Sequence, residues 1–110
     1  MSIEKKIREA QAMKYLQRRG ELLQEERIRL TAAAEQLLQR RAQLGRLEAE
    51  LRSEANAGRP DVERMDRVLA DLKEVVREGN EGIRRMNSII AEMNDISGEL
   101  EKRSPPAVER

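Results

Sequence analysis

From residue 62 onward, apolar side chains recur at every seventh position in three parallel rows. The first row is Val62, Leu69, Val76, Ile83 and Ile90, with Ser97 next in line. The second, three residues on, is Met65, Leu72, Gly79, Met86, Met93 and Leu100. The third is Val68, Val75, Gly82, Ile89 and Ile96. The first two rows alternate by three and four residues, the spacing of a coiled-coil seam. Three apolar positions in seven exceed what a two-stranded seam needs. The pattern predicts a long amphipathic helix with more than one helical neighbour.

The first half of the chain has a narrower pattern. Leu16, Leu23, Leu30, Leu37, Leu44 and Leu51 form an unbroken ladder of period seven. Three residues beyond each stand Arg19, Glu26, Ala33, Arg40, Leu47 and Glu54, of which four are charged. A single Leu row bordered by long polar stems predicts a second helix with a thin contact stripe. Residues 3–55 contain no Pro, so nothing there forbids one continuous helix.

The break falls at Asn56-Ala57-Gly58-Arg59-Pro60. Gly58 suits a left-handed residue after a helix end, and Pro60 suits the first turn of the next helix. Asp61 and Glu63 place carboxylates where a helix N-terminus favours them. Ser104-Pro105-Pro106 stops the second helix. The expected organisation is a projecting N-terminal helical segment (1–11), a first long helix (12–55), a turn (56–60), a second long helix (61–103) and a disordered tail (104–110).

Folding at the turn into an antiparallel hairpin requires facing residues to have a constant index total. The Leu ladder and the Met65 row meet this at 116: Leu51 with Met65, Leu44 with Leu72, Leu37 with Gly79, Leu30 with Met86, Leu23 with Met93, Leu16 with Leu100. These twelve residues are the expected hairpin seam. Helical rise gives lengths of roughly 80 Å and roughly 63 Å. The remaining apolar positions, Val62, Val68, Leu69, Val75, Val76, Gly82, Ile83, Ile89, Ile90 and Ile96, are the expected oligomer or partner interface. The predicted fold class is therefore all-α: an antiparallel helical hairpin completed into a bundle by self-association or by a partner. In that bundle the second helices meet at the centre. The structural rival is an open arrangement, with each helix in a separate parallel coiled coil.

Composition narrows the chemistry. The 110 residues include 22 Lys plus Arg and 21 Asp plus Glu, but no Cys, His, Trp or Phe and one Tyr. Imidazole catalysis, thiolate metal sites and disulfides are excluded. Inward carboxylates of a bundle metal centre are not expected either, because the inward positions are apolar and the accompanying His is missing. No catalytic, cofactor-binding or metal-ligating residues are assigned. The net charge of +1 supplies no global pull toward nucleic acid or anionic membrane. Residues 1–56 carry +3 and residues 57–110 carry −2, which favours pairing of the two halves.

Three local features invite a sharper reading. Gly79 and Gly82 in mid-helix suggest a close crossing, a hinge, or space for Leu37 opposite. Met65, Met86 and Met93 suit either core filling or adaptable partner binding. Basic pairs at Arg18-Arg19, Arg40-Arg41 and Arg84-Arg85 lie among acidic neighbours and read as solvated surface. At the N-terminus, Ile3 and Ile7 beside Lys5, Lys6 and Arg8 form a short basic amphipathic turn that could dock on a partner.

The functional expectation is a non-enzymatic structural or scaffolding protein that acts through helix–helix contact with protein and self-assembles through the second helix. The alternative is an adaptor or chaperone-like subunit docking its stripe on another helical protein. A third is nucleic-acid or membrane-surface binding by the N-terminal turn. The start Met1-Ser2-Ile3-Glu4 has no apolar signal-peptide core, so the cytoplasm is the expected location.

Overall fold

A computed structural model describes residues 2–103. The expected tail, 104–110, lies outside the described residues. Two helices, α1 (Ile3–Asn56) and α2 (Val62–Arg103), pack against each other as an all-α hairpin.

Each helix end has a chemical cause. Ser2 caps α1, its Oγ accepting from the Lys5 backbone N–H at 3.2 Å. The far end of α1 closes in a Schellman motif. The Arg59 N–H donates to the Glu54 carbonyl at 2.9 Å, and the Gly58 N–H to that of Ala55 at 3.0 Å. This geometry needs a left-handed residue, and Gly58 supplies it at φ 86°. Asp61 then caps α2, its Oδ1 accepting from the Arg64 N–H at 3.1 Å. Pro60 therefore sits just before the cap, outside the helix rather than in its first turn. Proline suits that place because it cannot donate to the ending ladder. At its other end α2 carries Lys102 and Arg103 in the last turn, where the helix dipole favours cations.

The chain divides into two compact units. The first combines α1 up to Arg29 with α2 from Met86 onward. Its core is Leu23, Ile89 and Ile96, and Leu16, Met86, Met93 and Leu100 are half-buried around it. Leu16 and Leu100, a pair expected from the index total, line one groove. Ile96 lies beside Gly20, where an added Cβ would meet the Ile96 methyl at 3.9 Å. The second unit, Leu30–Arg85, holds the turn. Its core is Leu51, Val68 and Val75, flanked by half-buried Leu37, Leu44, Leu47, Met65 and Leu72. Among the described residues no polar or charged side chain is buried.

Burial corrects one expectation. Val68, Val75, Ile89 and Ile96, assigned from the sequence to an outward interface, are buried in the hairpin. All four belong to the Val68 row, whose fifth member, Gly82, is half-buried. The Met65 row has the Val62 row about 60° to one side and the Val68 row about 60° to the other. The hairpin contact takes up the Met65 and Val68 rows and leaves the Val62 row outside.

Candidate interaction surface

Within the first unit, polar contacts accompany that choice. Beyond the Val68 row runs a charged row, Arg64, Asp71, Glu78, Arg85, Glu92 and Glu99. Within the first unit, Arg19 Nε donates to Glu92 Oε2 at 2.6 Å and Arg19 Nη2 to Oε1 at 3.0 Å. Bidentate guanidinium–carboxylate pairs are among the stronger polar contacts. Next to the same row, Arg103 Nη1 reaches Glu9 Oε2 at 2.8 Å. Beyond the Val62 row the flank is instead Asp66, Lys73, Asn80, Asn87 and Asn94, and all five are exposed.

The outward face of α2 is therefore built from two rows. Val62, Leu69, Val76, Ile83 and Ile90 are between 44% and 66% exposed. Asp66, Lys73, Asn80, Asn87 and Asn94 lie alongside them. Large aliphatic side chains at strict heptad spacing on one helix face form a stripe, not the scattered apolar exposure of an ordinary surface.

The glycines lie differently from the sequence expectation. An added Cβ at Gly79 or Gly82 would meet nothing within 4 Å. The hairpin thus makes no close crossing there, and Leu37 does not fill the space beside Gly79. The chain stays α-helical through both positions. Met65, Met86 and Met93 are half-buried, as space-filling side chains at the border of the contact.

At the N-terminus, Ile3 is 77% and Ile7 52% exposed. Lys5 and Lys6 share a shallow groove of about 550 Å³ with Glu9, Glu99, Lys102 and Arg103. Residues 3–11 continue α1 without interruption, and Glu9 is tied to α2 through Arg103. Four basic side chains line this groove with two carboxylates, so its charge is mixed rather than uniformly positive. Arg8 is exposed as well.

On the surface of α2, Arg77 bridges two carboxylates. Its Nε donates to Glu74 Oε2 at 2.9 Å, its Nη2 reaches the other Glu74 oxygen, and its Nη1 reaches Glu81 at 2.5 Å. The hydrogen bonds from Arg77 hold the Glu74 carboxyl below the usual range, and the Arg77 guanidinium is raised in turn, first by its bond to Glu74. The spacing of three and four residues makes this cluster legible in sequence, although only the charges of that segment are apparent at first reading.

Among the described residues no three His, Cys, Asp or Glu side chains gather as a metal site, and no helix is long and apolar enough to cross a membrane. No protein-family model, no curated protein and no solved structure matches the chain.

Proposed function

We propose that this protein is a non-enzymatic helical scaffold that assembles with further copies of itself through the outward face of α2. One observation carries the reading. The row Val62, Leu69, Val76, Ile83 and Ile90 stays exposed after the hairpin has used the other apolar rows of α2. Covering such side chains removes apolar area from water, at about 25 cal/mol per Å². The hairpin has the need as well as the means. Its described core consists of six buried side chains for helices of 54 and 42 residues. Long helices gain most of their stability from packing, so a second layer on α2 would supply what the first lacks.

The test is the absolute mass of the full chain by light scattering over a concentration series. A discrete multiple of 12.7 kDa is expected. Ile83→Glu with Ile90→Glu should reduce it to one chain. A helical monomer at every concentration would overturn self-assembly and direct the search to a different helical protein as the occupant of the face.

A further inference from the structure

We infer that the occupant of this face is a second copy of α2, lying parallel and in register, with Asn80, Asn87 and Asn94 each meeting its own counterpart. This rests on the self-association proposed above and specifies its geometry. The two outward rows interleave as Val76, Asn80, Ile83, Asn87, Ile90, Asn94 and Ser97, alternating by four and three residues. That is again the spacing of a coiled-coil seam, on the side of α2 that the hairpin leaves exposed.

Charge marks the limits of this seam. All seven positions are uncharged, in a chain where 39% of residues carry charge. Depletion of charge is the compositional mark of an interface core. The next seam position on one side is Lys73 and on the other Glu101. In a parallel pair each would meet its own like charge, which confines the contact to residues 76–97, about 30 Å of helix. Along 76–97 the seam is bordered by Gly79, Met86 and Met93 on one side and by Arg77, Arg84 and Ala91 on the other, so its charged groups stand at the border and not in the seam.

The amides set the direction. Asn carries donors and an acceptor on one side chain, so two copies facing each other satisfy one another. In the parallel, in-register pair every Asn layer is Asn against Asn. Reversing one helix exchanges the three-residue and four-residue steps. The Asn row then falls opposite Ile83 and Ile90, and the amides lose water without gaining a partner. An Asn at an inward seam position is known to specify register and strand number while lowering stability.

The absence of cysteine makes a direct test available. Asn80→Cys, Asn87→Cys and Asn94→Cys are prepared singly in the full chain, checked for unchanged helicity and oxidised. A disulfide requires Cα atoms within about 7 Å. Each variant should form a covalent dimer that reductant reverses. Asp95→Cys, one residue off the seam, should remain uncrosslinked. Two results overturn the inference while leaving self-assembly intact: a multimeric mass with no linkage at these three positions, or linkage only in a mixture of two unlike variants, Asn80→Cys with Ile90→Cys, which the reversed pair would bring together. Equal linkage at 94 and 95 also overturns it, since random collision would account for both. A monomeric mass removes the proposed function together with the inference.

Discussion

Arg19 holds Glu92 with two hydrogen bonds across the hairpin, 73 positions apart in sequence, and each side chain keeps about a third of its surface in water. The pair lies beside the buried Val68 row, so it orients α2 about its own axis as well as attracting it. A double-mutant cycle with Arg19→Ala and Glu92→Ala should return a coupling of about 0.5–1 kcal/mol, because partial exposure weakens the attraction. The coupling should fall in 1 M salt, where the screening length is about 3 Å. The cycle cancels the other contacts that each residue makes; a coupling of zero at low salt would deny the pair any orienting role.

The open space beside Gly79 and Gly82 has a measurable consequence. Gly79→Ala and Gly82→Ala should each stabilise the chain by up to about 1 kcal/mol, through helix propensity and a less flexible unfolded state. Gly58→Ala should do the reverse, because its φ of 86° strains any residue with a Cβ. Urea midpoints of the three variants decide the matter. A loss of stability at 79, on the border of the proposed seam, would mean that the second copy packs there too closely for a methyl group; a loss at 82 would mean that the space beside it is filled in solution.

Asp61 ends the turn and starts α2 with one side-chain hydrogen bond. Asp61→Ala should lower stability by about 1 kcal/mol, and Asp61→Asn should retain most of it, since Asn caps nearly as well. Thermal melting by circular dichroism separates the two. Equal melting temperatures for the Ala variant and the parent would show that the cap adds nothing.

The Arg77 bridge predicts the acid limb of stability. The Glu74 carboxyl is held below its ordinary value of 4.5. A carboxyl lowered by folding adds stability above its unfolded pKa, and that contribution disappears as pH falls through the folded value. Stability should therefore decline from about pH 4.5 downward, less so in Glu74→Gln. With no His or Cys in the chain, no side chain of ordinary pKa titrates between pH 6 and 8. Denaturant midpoints from pH 3 to 8 test both statements, and a step near pH 6.5 would contradict the second.

Much of the architecture is legible in heptad spacing. The six Leu residues of the period-seven ladder, Leu16 to Leu51, all turn inward to some degree, and none of these six is exposed. The Gly58 turn can be read from Gly-Arg-Pro, because left-handed backbone and a missing N–H are local properties of those residues. The cap at Ser2 is also local and could be anticipated from a Ser just ahead of a helical run. The Arg19–Glu92 pair is different in kind. Neither residue is marked by its neighbours, and the contact exists only because a turn 37 residues after Arg19 returns the chain on itself.

The sequence alone determined two helices, their break, and the inward place of the Leu16–Leu51 ladder and of the Met65 row. Those follow from periodicity and backbone chemistry, which act over a few residues. It left a tie between the Val62 and Val68 rows, because each is apolar, β-branched in most positions and equally far around the helix from the Met65 row. Hydrophobic burial alone does not separate them. The tertiary structure decided: it buried the Val68 row, beside which Glu92 is held by Arg19 of α1, and left the Val62 row outside with its exposed flank of Asp66, Lys73 and three asparagines. That outcome rests on contacts between residues far apart in the chain, which periodicity alone does not carry.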